Sequence, residues 1–257
     1  SSGETLSYDK LVIATGSKPN KFGWPGQDLK GVMGMYHKQD LENLERHAPD
    51  NKVIWKSSEE IIKEHVAANS PFSILGEETG LSDDLDEFYW VVDPLDGTSN
   101  FIREIPISCV SIALMHDIKP VLGVIFDFNH DELYFGHQES KAYINNREIK
   151  VSSLGLKSES TLVTGIPAKT DYSDDEFSQM ISDFQAWKKI RMIGSAAMAA
   201  AYVASGKAET YKEKGIFLWD IAAGAAIVKA AGGNISISNL QSDYRVDAEF
   251  SNMNIEQ

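Results

Sequence analysis

Trp90-Val91-Val92-Asp93-Pro94-Leu95-Asp96-Gly97-Thr98-Ser99-Asn100-Phe101 is the stretch whose reading decides the rest of the chain. Three apolar residues run into two carboxylates, Asp93 and Asp96, which flank Pro94-Leu95 and are followed by Gly97. The apolar run predicts a buried strand, and Asp96-Gly97 predicts the turn that ends it. Two acids at a strand end can converge on one small volume. There they repel unless a cation sits between them, so a divalent metal is the natural occupant. Thr98 adds a hydroxyl beside the acids. Taken alone, the stretch fits a surface Asp-Gly turn with solvated acids equally well.

Composition narrows the classes. The 257 residues suffice for one large domain or two modest ones, and 42% apolar with 24% charged residues is ordinary for a globular protein. A net charge of −14 argues against nucleic acid and anionic membrane as main partners. The charge is uneven. Residues 1–57 carry 8 Lys+Arg and 7 Asp+Glu, whereas residues 58–257 carry 16 and 31. The break suggests two origins. Cys109 is the only cysteine, so no internal disulfide forms, and its place in Ile107-Ser108-Cys109-Val110-Ser111-Ile112 predicts a buried structural thiol. No signal-peptide pattern is seen, and the small-apolar run from Ala196 to Ser205 is too short to span a bilayer, which together predict a cytoplasmic protein.

Along the chain, Tyr8 to Ser17 reads as a short strand ending in a turn, and residues 39–47 as a short helix with Leu41 and Leu44 on one face. Ser57 with Glu60 makes a capping-box pattern ahead of Ile61, Ile62 and Val66. Strands are expected at Phe72–Leu75, Val110–Met115, Val121–Asp127 and Glu132–Gly136, with a hairpin at Tyr143–Asn146. Further strands are expected at 161–165, at Lys189–Ile193 and at Ala208–Tyr211. Ser173 and Glu176 make a second capping box, for a helix with Phe177, Ile181 and Phe184 on its apolar face. Gly194-Ser195 opens a small-residue helix, and Trp219-Asp220 opens another that Gly232-Gly233 stops. This order predicts an α/β layered sandwich.

Two resemblances follow from these words. Tyr8-Asp9-Lys10-Leu11-Val12-Ile13-Ala14-Thr15-Gly16-Ser17, within residues 6–53, resembles a segment of the pyridine-nucleotide-dependent flavoprotein oxidoreductases. No Gly-x-Gly occurs in the chain, so the dinucleotide fingerprint is absent and neither FAD nor NAD is expected to bind. Residues 1–55 therefore read as a remnant without a complete cofactor site.

From about Lys56 to Asn252, the combination of Gly76-Glu77-Glu78, Asp93-Pro94-Leu95-Asp96-Gly97-Thr98 and Trp219-Asp220-Ile221-Ala222-Ala223-Gly224 resembles the inositol monophosphatase family of magnesium-dependent, lithium-sensitive phosphatases. Singly, each has a plainer reading: Asp220 as a helix cap, Gly194-Ser195 as a helix start, Glu213 as a surface acid. Jointly they are specific. The resemblance implies an αβαβα sandwich over 56–257, often a homodimer. It implies that Glu77, Asp93 and the carbonyl of Leu95 bind one Mg²⁺, and that Asp93, Asp96 and Asp220 bind a second, with two or three ions in all. Thr98 with Glu77 would orient the attacking water. Gly97, Thr98, Gly194, Ser195 and Ala196 would hold phosphate, and Glu213 and Asp220 would meet the substrate's hydroxyls and ester oxygen. Glu78 is not separated from Glu77 by sequence.

The chemistry suits these residue types. Magnesium takes hard oxygen ligands, and two ions roughly 3.5–4 Å apart can clamp the attacking water and the leaving oxygen of an in-line displacement. The expected activity is hydrolysis of a small phosphorylated polyol such as inositol 1-phosphate. Ser99-Asn100-Phe101 after the Asp-Gly-Thr core looks more like the inositol-phosphatase branch than the nucleotide bisphosphatases. A sugar or nucleotide phosphatase of the fructose-1,6-bisphosphatase type, and an inactive fusion that only binds metal, are the alternatives. The family's N-terminal helix and Asp-Leu-Val-Thr-like segment are not found before Lys56, which predicts a fusion with an impaired phosphatase half.

Overall fold

The computed structural model describes residues 12–15, 54–78, 80–81, 86–166 and 173–255. The chain divides into two units, Ser1–Asn69 and Ser70–Gln257. In the first, strands β1 (Val12–Thr15) and β2 (Ile54–Ser57) pair in parallel, and helix α1 (Ser58–Asn69) follows. The helix expected at residues 39–47 lies outside the described residues.

The second unit holds two sheets. Strands β3 (Ser73–Gly76), β4 (Gly80–Leu81), β5 (Phe88–Asp96), β6 (Cys109–His116), β7 (Lys119–Asp127), β8 (Glu132–His137), β9 (Ala142–Ile144) and β10 (Arg147–Ile149) form an eight-stranded sheet in the order β10-β9-β8-β7-β6-β5-β3-β4. Its β3–β5 pair is parallel and its other pairs are antiparallel. Strands β11 (Thr161–Thr164), β12 (Lys189–Met192), β13 (Thr210–Phe217), β14 (Asn234–Ser238) and β15 (Arg245–Ser251) form a five-stranded sheet in the order β12-β11-β13-β15-β14.

Between the sheets lie helices α4 (Ala196–Ala204) and α5 (Leu218–Ala230), which pack on each other and on strands of both. Their sequences explain the position. Neither has a polar face, and α5 is buried from Ile221 to Val228. A helix apolar all round belongs inside a protein. Small residues then set the spacing. A Cβ at Gly123 of β7 would stand 2.1 Å from the carbonyl oxygen of Ala223, so strand and helix backbones are in direct contact. The α/β layered fold read from the element order is the one observed.

Helix α2 (Thr98–Ile102) is a short turn after β5, and α3 (Asp174–Gln185) begins with the expected capping box, Ser173 accepting from the Glu176 amide. The apolar stripe read on α3 is not a core face: Phe177 is 48% and Ile181 42% exposed. Strand β13 runs to Phe217, six residues past the expected end at Tyr211, and so carries Glu213. No described helix is long and apolar enough to cross a membrane.

Candidate metal and phosphate site

Strand β5 carries the two acids of the opening stretch, and its pairing explains how they meet. Asp93 lies opposite Ser111 and Asp96 opposite Cys109, so three steps along β5 match two along β6. That extra residue is a β-bulge. Residues three apart on a regular strand point to opposite faces, whereas Ser111 and Cys109 share one. The bulge thus turns Asp93 and Asp96 to the same side. Pro94 has no N–H to lose there, the Leu95 amide donates to Asp93 Oδ1 at 2.8 Å, and the Leu95 carbonyl accepts from Thr98 Oγ1 at 2.9 Å.

Asp220 arrives from the first turn of α5. Buried Ser111, the cross-strand partner of Asp93, donates through Oγ to the carbonyl of Trp219 at 3.4 Å and so ties the start of α5 to β6. One carboxylate oxygen from each of Asp93, Asp96 and Asp220 then lies within 4.8 Å of the others. Asp93 and Asp96 are buried and Asp220 is half-buried.

Glu77 reaches this end of the sheet because β3 and β5 are parallel. Gly76 pairs with Val92, and the Glu77 amide donates to the Val92 carbonyl at 3.2 Å. Glu77 and Glu78 are both exposed on the following turn. The charge of Glu77 acts on both Asp93 and Asp220.

Electrostatics set the three acids against one another. Burial, then the charges of Asp96, Asp220 and Glu77, push Asp93 well above the usual carboxylate range, against the opposing Leu95 amide. Burial, then Asp96 and Glu77, do the same to Asp220. Asp96 is raised to about 6 by burial, although hydrogen bonds from Ser195 and the amides of Ala197 and Ala196 stabilise its charged form. Three carboxylates held this close, with Thr98 and the Leu95 carbonyl beside them, are a hard-oxygen donor set. Such a set suits a divalent cation of the Mg²⁺ type.

The N-terminus of α4 serves this cluster. Ser195 caps the helix by accepting from the Met198 amide at 3.2 Å, and its hydroxyl donates to Asp96 Oδ2. The Ala197 amide donates to the same oxygen at 2.9 Å. Ser195 and Ala196, expected to hold phosphate, both bond to Asp96 in the structure, because a buried carboxylate takes the nearest donors at a positive helix end. Gly194, at φ 71°, sits against the Asn100 side chain, and Gly97, at φ 83°, faces Ile107 and Ser195. Cys109 is buried, as its sequence context predicts, and its thiol points to Asp96 Oδ2 at 3.8 Å.

Glu213 stands apart from the three acids. Its carboxylate accepts from Tyr211 Oη at 3.1 Å and lies flat on Gly165, where a Cβ would come within 2.6 Å of it. It lines a cavity of about 290 Å³ with Leu162, Thr164, Met180 and Phe184. Burial raises it to about 7, and the charge of Asp96 reaches it. Sequence reasoning did not find the parts played by Ser111 and Asn100. Their signal lies in contacts 108 and 93 residues apart, which no local pattern carries.

An acidic triad carried by a sheet strand and an inner helix of a layered α/β fold defines a class of candidate metal site. The chain belongs to the inositol monophosphatase family, whose model matches residues 29–252. It is 40% identical to the Nus factor SuhB of Xylella fastidiosa over 176 residues, which are 68% of this chain and 64% of the relative. It is 36% identical to inositol monophosphatase 2 of Saccharomyces cerevisiae over 192 residues, 69% of this chain and 66% of the relative. The chain thus spans slightly under two thirds of the length of these relatives. A solved inositol monophosphatase from Anabaena superposes with a TM-score of 0.69 at 36% identity, covering 76% of this chain and 79% of that one.

The family match begins at residue 29, ahead of Lys56, where the resemblance was first placed. It overlaps the stretch read as flavoprotein-like and lends that reading no support. One relative is a Nus factor by name, so the similarity gives no support to the expected absence of a nucleic-acid partner.

Proposed function

We propose that this protein is a Mg²⁺-dependent phosphomonoesterase acting on a small phosphorylated polyol such as inositol 1-phosphate. The observation that carries the reading is the convergence of Asp93, Asp96 and Asp220, with one oxygen from each inside 4.8 Å. Membership of the inositol monophosphatase family supports it.

Asp93, Asp96 and Asp220 would hold one Mg²⁺, and Glu77, Asp93 and the Leu95 carbonyl a second. When bound, Mg²⁺ supplies Lewis-acid charge at the phosphoryl oxygens and lowers the pKa of water. The residues do the rest. Thr98 gives its proton to Leu95 O, so toward a water it presents lone pairs and accepts a hydrogen bond. With Glu77 it orients that water toward phosphorus without itself acting as nucleophile. The amides of Gly97 and Thr98 hold the phosphate. Ser195, with the Ala196 and Ala197 amides, fixes Asp96. Glu213, half-buried beside its cavity, accepts from a hydroxyl of the leaving alcohol.

The test is release of phosphate from inositol 1-phosphate by the purified chain, with and without Mg²⁺, beside Asp93→Asn. Mg²⁺-dependent turnover in the parent and its loss in the variant are expected. An inactive parent defeats the enzyme reading, and equal activity in both defeats the assignment of the site.

A further inference from the structure

A primary amide nitrogen has two protons to give, and Asn100 gives both to main-chain carbonyls. Its Nδ2 lies 2.9 Å from Ile107 O and 2.7 Å from Ile193 O. Two carbonyl partners also fix which end of the amide faces them, since Oδ1 has no proton to offer. Ile107 leads into β6, and Ile193 leads through Gly194 to Ser195, the cap of α4. The main-chain oxygen of Asn100 accepts from Arg103 N at 3.0 Å and Ile105 N at 2.9 Å, so one residue also holds the turn between.

The junction has no slack. A Cβ on Gly194 would lie 3.1 Å from both Nδ2 and Oδ1 of Asn100. From the other side, a Cβ on Gly97 would lie 2.7 Å from Ile107 O and 3.3 Å from Ser195 Cβ. Gly97 is therefore enclosed by the two segments that the Asn100 amide joins. Asp96 precedes Gly97, and its Oδ2 takes the Ser195 hydroxyl and the Ala197 amide.

We propose that Asn100 is a positioning residue for the cation site: its amide sets the turn bearing Asp96 and Thr98 in register with the segment bearing Ser195. Asp96 then presents its carboxylate beside Asp93 and Asp220 with Ser195 already bonded to it. Loss of the amide lets the two segments shift, and the consequence falls on cation affinity as well as on folding. This inference rests on the proposed reading of the acidic triad as a cation site.

The experiment measures Mn²⁺ binding to the full chain by the electron paramagnetic resonance of free Mn²⁺, below the unfolding temperature of every variant. Asn100→Ala is compared with Asn145→Ala, which also removes a side-chain amide bonded to the main chain, donating to Asp131 O and accepting from Leu133 N. Partners that orient metal ligands are typically worth 10–100-fold in affinity, so Asn100→Ala is expected to weaken Mn²⁺ about tenfold and Asn145→Ala less than about twofold. In a Ser195→Ala background the further effect of Asn100→Ala is expected to shrink to less than about twofold, as for two residues acting through one carboxylate. Should Asn100→Ala not fold, Asn100→Ser, which keeps one donor, is read in the same way. A parent that binds no Mn²⁺ overturns the function proposed above and this inference with it. A parent that binds, with Asn100→Ala binding equally well, overturns this inference alone. Additive effects of Asn100→Ala and Ser195→Ala overturn the route through Asp96.

Discussion

Replacing Asp96 by Asn should make the metal-free protein more stable. Asp96 is buried, and its carboxyl is raised from 3.8 to about 6. Over that window the native state keeps a proton that the unfolded state has lost, so stability falls as pH rises from about 4 to about 6 and stays low above it. At about 1.4 kcal/mol per pH unit, the gap amounts to about 3 kcal/mol. Asn carries no charge to desolvate, and its oxygen can still accept from Ser195 and the Ala197 amide. In chelator at about pH 8, Asp96→Asn should therefore gain about 3 kcal/mol, or roughly 6–12 °C in melting temperature for a chain of this size. At about pH 4, where the native Asp96 is already protonated, the gain should vanish. Magnesium should reverse the order. At a thousand times its dissociation constant it adds about 4.1 kcal/mol to a protein that binds it, more than the variant's gain of about 3 kcal/mol, and the variant should gain none of this. Urea unfolding followed by circular dichroism, at both pH values and with or without Mg²⁺, reads all four cases. A variant less stable than the parent at the higher pH in chelator, or an equal gain at both pH values, would refute the reasoning.

Three further outcomes follow from the fold and the site's surroundings. Gly123→Ala should destabilise by about 3 kcal/mol, the upper part of the usual range for overpacking, because its Cβ would meet the Ala223 carbonyl at 2.1 Å; an unchanged urea midpoint would show that the sheet and α5 can separate. Cys109, whose thiol is pushed up by burial and by Asp96 and Asp93, should resist a thiol-reactive dye in the native protein and react at once in denaturant; rapid native labelling would contradict its burial. Ser173→Ala should cost about 1 kcal/mol by removing the capping box of α3, measured as the shift in midpoint.

Much of this was legible in the sequence, and for physical reasons. Apolar and β-branched content marked β5, β6 and β7, and the apolar run after Asp220 marked α5, because β6 buries every second residue and α5 is buried from Ile221 to Val228. Strand β13 was read too short. Its second half, Lys212-Glu213-Lys214-Gly215, lacks an alternating pattern, and it contains a break in register between Glu213 and Ile216 with Gly215 at φ 67°. Helix α3 misled in the other direction: its amphipathic spacing is real, yet Phe177 and Ile181 remain substantially exposed. Asp93 and Asp96 stood out because two acids beside a turn restrict the chemistry, whereas Asp220, which the structure brings to them, was reached through the family resemblance. For Ser195 the sequence places it at a helix start, and the structure adds its hydrogen bond to Asp96, 99 residues away, which no local pattern carries.

The spacing of Asp93 and Asp96 shows why a motif can be read before its reason is known. Two acids two residues apart on a regular strand would share a face with no bulge at all. Every main-chain group between them would then belong to the ladder. The extra residue keeps the acids on one face and also releases a carbonyl, and each freed group is accounted for. Pro94 brings no donor, the Leu95 amide bonds Asp93 Oδ1, and the Leu95 carbonyl receives the Thr98 hydroxyl. Asp-Pro-Leu-Asp-Gly-Thr is therefore the sequence of a bulge that sets two carboxylates, one carbonyl and one hydroxyl in a single turn of chain. Gly97, the one position there with φ above zero, closes that turn onto Ile107 and Ser195, where a side chain has no room.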